Sequence, residues 1–379
     1  MEKQRIENIV LEIDTAYSVK RISDIQAWFS ASDIDYFIKK DAVDPVANYL
    51  KKTGALVVRN EEQFSAYLYL KGELYVIDFN LKADSLTKRF GGVGFKQTFY
   101  DHIWHDPKLY KFFKYVLTIR SKEKYTDFVD KNYDIYGRFL HDTTYLNQPI
   151  FKNDVSKKDV LYFMKKRPVT LFKVLNPSSL LWFVLTYFTE RFKKIGGGKC
   201  IAFVGVDGAG KTTVLKEMSR VIGAKVVYMG DYNFTFARFY DWIGSKHLYL
   251  ARSCFFLQLP EQIARYLKVR WYTIRGVHVL TDRYPGFNRP LRKEGWLLSV
   301  NTLLYGWFPQ PHGFVYLYAK PEVIRERKQE MSKEHIEVFH KNATKILTRK
   351  KKVLMIKNSD LDKTYTEVLR FCFHIMGKI

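Results

Sequence analysis

Cys200-Ile201-Ala202-Phe203-Val204 runs straight into Gly205-Val206-Asp207-Gly208-Ala209-Gly210-Lys211-Thr212, and Thr213-Val214-Leu215-Lys216-Glu217-Met218 follows. The first five residues are apolar and read as a buried strand, and the last six open a helix. Between them lies the full spacing G-x-x-x-x-G-K-[ST], which gains its meaning from this strand–turn–helix setting. The glycines let the backbone curl around an anion without Cβ clashes. The N–H groups of the bend and the helix N-terminus then point at that anion. A lysine at position 211 reaches the outer phosphates of a nucleotide, and the Thr212 hydroxyl faces a magnesium ion.

Short apolar runs recur on the C-terminal side, at residues 200–204, 225–229, 277–281, 314–318 and 353–357. Helical segments such as 211–221 and 261–274 separate them. Strands alternating with helices predict βαβ units, hence an α/β fold with a doubly wound, mostly parallel sheet covered on both faces. Val277-His278-Val279-Leu280-Thr281-Asp282-Arg283-Tyr284 ends in an acid at the C-terminal edge of a strand. Ligands bind at that edge of an open parallel sheet. Asp282 is therefore expected to hold Mg²⁺ or to accept a proton, and Arg283 to grip a phosphate bidentately.

These residues carry a resemblance. Phe203-Val204-Gly205-Val206-Asp207-Gly208-Ala209-Gly210-Lys211-Thr212-Thr213 resembles the P-loop of thymidylate kinases, and Asp282-Arg283-Tyr284 resembles their DR[YH] motif. Tyr316-Leu317-Tyr318-Ala319-Lys320-Pro321-Glu322-Val323-Ile324-Arg325-Glu326-Arg327 is similar to their strand, turn and arginine-bearing lid helix. The resemblance spans about residues 198–379. It implies a five-stranded sheet in the order 2-3-1-4-5, with ATP and Mg²⁺ as cofactors. It further implies that Gly205 to Thr213 bind ATP, that Asp207 contacts the phosphate acceptor, that Arg283 clamps phosphate and that Arg327 acts from the lid. Departures leave the acceptor open. Met229-Gly230-Asp231-Tyr232-Asn233 replaces an Arg-Glu-Pro segment, the acceptor-helix arginine falls near Glu261, and Gln329 and Met331 replace lid arginines. A small-molecule acceptor is expected, with a nucleoside monophosphate first.

Composition sets the outer limits. The chain has 379 residues, 47% hydrophobic and 27% charged, which predicts more than one domain and no wholesale disorder. Ile195-Gly196-Gly197-Gly198-Lys199 reads as a flexible joint. The expected division is an α+β domain at 1–95, a helical basic aromatic region at 96–195 and the P-loop domain at 196–379. The three cysteines, Cys200, Cys254 and Cys372, form no CxxC motif and suit a reducing cytosol. The first residues are too charged for a secretory signal, and no apolar run reaches the roughly 18 residues a bilayer crossing needs. Hence a cytoplasmic chain is expected, at most peripheral to a membrane.

The net charge is +24. Such a chain is drawn to polyanions: nucleic acid, an anionic membrane or a phosphorylated substrate. No recognition helix, RNP motif or zinc finger supports nucleic acid. The stretch Leu180-Leu181-Trp182-Phe183-Val184-Leu185-Thr186-Tyr187-Phe188, followed by Arg191, Lys193 and Lys194, reads either as a membrane-interface helix or as a face buried on the core or on a second copy in a homodimer. Residues 236–259 and 296–308 add aromatic segments of the same kind.

In the N-terminal part, residues 34–38 and 74–81 read as strands and 45–52 as a helix closed by Gly54. Asp33 and Asp35 lie two apart, on one face of a strand, and Asp78 lies on a neighbour. Three such acids can hold Mg²⁺ for nucleotidyl transfer. The pattern resembles nucleotidyltransferase-like folds, without the Gly-Ser turn those carry. Chains joining such a domain to a thymidylate-kinase-like one also resemble proteins of surface-polysaccharide loci, which makes a sugar or glycan an alternative acceptor. An ATP-binding regulatory or scaffold protein at a membrane is a third reading. His102 and His105 are three apart on a helical stretch, with no third metal ligand evident.

Overall fold

Every side chain of Cys200–Val204 is buried, as a strand in the middle of a sheet covered on both faces requires. The structure, a computed structural model, describes residues 2–21, 33–59, 63–80, 93–95, 102, 106–117, 123–145, 148–149, 151–152, 155–165, 176, 195–230, 248–287, 291, 299, 302–303, 305–306, 308–327 and 331–378. It divides into two units, Met1–Phe192 and Lys193–Ile379.

The N-terminal unit begins with helix α1 (Glu2–Ala16), then β1 (Val19–Arg21), β2 (Asp33–Ile38), α2 (Val43–Lys52), β3 (Leu56–Arg59), β4 (Gln63–Leu70) and β5 (Glu73–Asn80). The sheet order is β1-β2-β5-β4-β3, with β2 and β5 parallel and the other pairs antiparallel. Ile6, Ile9, Val10 and Ile13 repeat at helical spacing on α1 and are buried against Ile34, Tyr36, Ile38, Ile77 and Phe79. Tyr36, Phe79 and Phe64 are register partners across β2, β5 and β4, and their rings stack at 5.1 and 4.3 Å. The buried Tyr36 hydroxyl donates to Asp14 Oδ1 (3.0 Å). Burial, then the Asp14 charge, pushes its pKa far up, so it stays a neutral donor.

Farther along come β6 (Val93–Phe95), α3 (Pro107–Leu117), α4 (Glu123–Tyr136), β7 (Thr143–Tyr145), β8 (Gln148–Pro149) and α5 (Lys157–Lys165). The largely helical reading of this stretch therefore gains a three-stranded sheet, β6-β7-β8.

The C-terminal unit contains β9 (Cys200–Val204), α6 (Lys211–Ile222), β10 (Lys225–Tyr228), α7 (Leu248–Ile274), β11 (Val279–Asp282), β12 (Gly313–Tyr318), α8 (Pro321–Arg327), α9 (Lys333–Leu347), β13 (Val353–Lys357) and α10 (Leu361–Met376). All neighbours pair in parallel, in the order β10-β11-β9-β12-β13. That is the 2-3-1-4-5 order the resemblance implied. The order reverses its sense around β9, which opens a crevice at the C-terminal edge beside the strand that carries the glycine loop.

Three expectations need correction. The glycine joint is not slack. Gly196 N–H donates to Ile274 O (2.7 Å) and Gly198 N–H to Thr273 O (3.2 Å). A Cβ on Gly198 would run into the Thr273 and Val277 backbone, so glycine serves close approach to the end of α7. Helix α7 also starts earlier than position 261, because Pro260 lies inside it rather than before it. Strand β11 starts at Val279 because Gly276 and Val277 N–H groups close the last turn of α7 on Thr273 and Tyr272.

Two histidines clamp the entry to β9. Lys199 N–H donates to His278 Nδ1 (3.1 Å) and Cys200 N–H to His312 Nδ1 (3.0 Å). An accepting Nδ1 carries no proton, so both rings are neutral in the fold. Burial, then the Lys378 and Lys199 charges, hold His278 below the ordinary imidazole value, and burial with Lys199 does the same for His312. The unfolded chain therefore binds more protons below about pH 6.5. Stability is complete above that pH and falls as the medium is acidified through it. The urea midpoint is expected to drop between pH 7 and pH 5. It should drop less in His278→Asn/His312→Asn, whose amide oxygens accept without titrating. Equal slopes in the two proteins would remove these rings from the acid response.

Candidate functional site

The loop after β9 requires its glycines for separate reasons. Gly205 has φ +143°, and a Cβ there would collide with the Leu317 carbonyl oxygen of β12. Gly208 and Gly210 sit at φ +89° and +88°. Gly210 is also the N-cap of α6, and no side chain caps that helix end. The leading N–H groups of α6 are thus left for an anion, with the positive end of the helix dipole behind them. Ala209 N–H donates to Val206 O (3.2 Å), which tightens the bend.

Lys211 is only 5% exposed. Its ammonium folds back onto the loop, donating to Val206 O (2.8 Å) with Asp207 Oδ1 at 3.6 Å. Burial lowers its pKa to about 8, against the attraction of Asp207. Asp207 also pairs with Arg283 from the end of β11. Burial opposes the Arg283 charge, but Asp207 outweighs it and the guanidinium pKa rises. Arg283 holds φ +68°, a strained conformation for a residue with a side chain, and its N–H donates to Phe203 O (2.9 Å). Backbone strain of this kind persists where the surroundings over-determine it, and here β9 and Asp207 do so.

Asp282 ends β11 in register with Phe203 of β9 and Tyr228 of β10. Among the described residues its carboxylate has no hydrogen-bond donor and no ion pair within salt-bridge distance. Burial raises its pKa despite the nearby Lys211 and Arg283 charges. Thr212 is exposed in the first turn of α6. Opposite them, Arg327 at the end of α8 reaches Gly208 O at 3.5 Å. The expected residues Asp207, Lys211, Asp282, Arg283 and Arg327 therefore converge on one edge of the sheet.

Three further residues shape this edge and were not picked out from sequence. Asn358, just after β13, donates from Nδ2 to Ala209 O (2.9 Å) and lies against Gly210. Its placement after a strand at the ligand-binding edge is the signal that could have found it. Gln262 and Arg265 of α7 both donate to Gly230 O, at 3.3 and 3.0 Å. Glu261, near which the resemblance led one to expect an arginine, instead pairs with Arg265 one turn later, at 2.8 Å. Gln262 is 1% exposed, and among the described residues its Oε1 has no partner. Asn358→Ala is expected to cost about 1 kcal/mol of stability, because it removes the hydrogen bond to the Ala209 carbonyl. Melting curves check this, and an unchanged midpoint would make the contact incidental.

In the N-terminal unit Asp33 and Asp35 share one face of β2, and Asp35 lies beside Asp78 in the parallel register. Ser65 Oγ donates to Asp78 (2.5 Å), and Tyr115 of α3 feels both Asp35 and Asp33. No cluster of three metal-ligating side chains is present among the described residues. His102 packs on Phe139 at 5.6 Å, and His105 lies outside the described residues. So do the 180–194 aromatic stretch, Asp231 to Asn233, Lys328 and Gln329. Met331 is buried in the core of the C-terminal unit, and Lys333 pairs with Glu322 at 3.0 Å. No described helix is long and apolar enough to cross a membrane.

No protein-family model matches the chain, and no curated protein does. Solved structures do match. A thymidylate kinase from Candida albicans is 16% identical, with 48% of this chain and 93% of that one covered at a TM-score of 0.35. A deoxyadenosine kinase from M. mycoides with bound dATP is 16% identical over 46% of this chain and 98% of its own, also at 0.35. The same kinase with bound dCTP gives 15% identity at 0.31, with equal coverage. The chain is thus similar over about half its length to kinases of nucleotides and deoxynucleosides. The fold itself is read from the strand order and register above.

Proposed function

We propose that the C-terminal unit binds ATP with Mg²⁺ and transfers its γ-phosphoryl group to a small-molecule acceptor. One observation carries this reading: an uncapped glycine loop with Lys211 folded into it, facing Asp207, Asp282 and Arg283 along the C-terminal edge of a parallel sheet. Phosphoryl transfer passes through a loose, anionic transition state, so positioning and charge neutralisation supply most of the catalysis. The loop amides and Lys211 hold the donor phosphates. Arg283 and Arg327 neutralise the migrating group, and Asp207 orients the acceptor.

The donor set fits a hard cation. A carboxylate without a hydrogen-bond partner, Asp282, and an exposed hydroxyl, Thr212, are oxygen ligands of the kind Mg²⁺ takes, and they leave positions for water and phosphate. When bound, the ion would screen the phosphate charges. Asp282 then keeps its carboxylate ionised in spite of burial.

The resemblance leaves the acceptor open, with a nucleoside monophosphate as the first candidate and a sugar or glycan end as the second. The test is phosphoryl transfer from labelled ATP to dTMP, other nucleoside monophosphates and free sugars. Transfer to one acceptor class, lost in Asp282→Asn, is expected. Tight ATP binding with no transfer to any acceptor would leave a regulatory ATP-binding protein instead.

A further inference from the structure

Helix α7 (Leu248–Ile274) shows two different faces in its last four turns. Gln262, Val269 and Thr273 are buried. On the other side Ile263, Leu267, Trp271 and Ile274 stand in a row, and Leu267 and Trp271 are each 60% exposed. At about 100° per residue the four fall within an arc of roughly 80°. Cations border this arc on both sides, with Arg270 along one edge and Lys268 and Arg275 along the other. None of these three forms an ion pair among the described residues. Glu261 is the single acid in residues 261–275, and it pairs with Arg265. Arg275 also lies over the Trp271 ring, 5.6 Å from its centre.

A row of large exposed apolar side chains is uncommon on a solvated surface and marks a contact. The charges decide what makes it. A second copy of the chain would bring the same cations to the same rim, and each copy carries +24. Facing like charges across an interface is unfavourable. A lipid surface with anionic headgroups has the opposite sign and an apolar layer just beneath. A tryptophan and three aliphatic side chains flanked by Lys and Arg match that profile.

We propose that the face of α7 formed by Ile263, Leu267, Trp271 and Ile274 seats the chain on an anionic bilayer, with Lys268, Arg270 and Arg275 at headgroup level. Attachment is peripheral. The overall positive charge supplies a background attraction, so the test must hold charge constant.

The experiment is sedimentation of the full chain with phosphatidylcholine vesicles, with and without phosphatidylglycerol. Leu267→Ser/Trp271→Ser keeps every charge and changes only exposed positions. It should weaken partition to the anionic vesicles at least about ten-fold. Lys268→Gln/Arg270→Gln/Arg275→Gln should weaken it too and flatten its dependence on salt. Equal partition of the serine variant and the wild-type chain would overturn the proposal, since net charge alone would then explain binding. A wild-type dimer that the serine variant converts to monomer, with vesicle binding unchanged, would assign the face to self-association and overturn it as well.

Discussion

Lys211→Ala is expected to weaken ATP binding by about a hundred-fold and to remove phosphoryl transfer. The ammonium is the one buried cation inside the glycine loop, and hydrogen bonds from charged donors to phosphate are the strong ones. Removing a single preorganised donor of this kind costs roughly 10²–10³ in rate. Stability should not fall with activity. Burial holds the Lys211 pKa at about 8 rather than 10.5, so keeping the charge costs the fold about 3 kcal/mol at neutral pH. The lysine is there against the interest of the fold, which is what a functional group looks like. The same pKa sets a pH signature. The free site loses its ammonium as pH rises through about 8, so ATP affinity in the wild-type chain should decline above that value. Calorimetry across pH 7 to 9.5, with melting curves of the alanine variant, reads both effects. An alanine variant that binds ATP as tightly as the wild-type chain would take Lys211 out of the site.

Gly205→Ala should have the largest effect on stability. Its φ of +143° is rarely open to a residue with a side chain, and the added Cβ would meet the Leu317 carbonyl oxygen. Gly205 follows the last β9–β12 pair, Val204 with Tyr316, and Leu317 is held in register with Ile356 of β13, so neither backbone has much room to yield. A loss of roughly 3 kcal/mol or more is expected. That corresponds to about 6–12 °C in the melting point of a unit of this size. Gly223→Ala is the control. It has φ +70° with nothing within 4 Å of the added carbon, so only the left-handed backbone cost of about 1 kcal/mol applies. Equal losses at the two positions would mean that the close approach to Leu317 is not what fixes the glycine.

The C-terminal unit was largely legible because its signals are local. Five apolar runs, one loop with fixed spacing and an acid at a strand end each declare themselves within a few residues. β9 and β13 have the bounds that the pattern predicted. What stayed hidden depends on distant partners. Asn358 follows a strand at the ligand-binding edge, but its partner Ala209 is 149 residues away, which no local pattern reveals. Residues 261–274 read as the helix, yet α7 begins at Leu248 and continues through Pro260. Gly196 to Gly198 read as slack because composition shows permissiveness, whereas the Thr273 and Ile274 carbonyls that hold them are far away in sequence. In the N-terminal unit α1 was missed under its charged residues, although Ile6, Ile9, Val10 and Ile13 carry a helical stripe. Asp35 and Asp78 lie on adjacent strands, as their positions in the sequence suggested.

On the proposed reading the bend at 205–212 grips a nucleotide polyphosphate. Backbone amide shifts in a titration of the full chain with MgATP test it most directly. The largest changes should fall on the amides of Gly208, Gly210, Lys211 and Thr212, with smaller ones at Arg283 and Asn358. Saturable binding that leaves those four amides unmoved while others shift would contradict it.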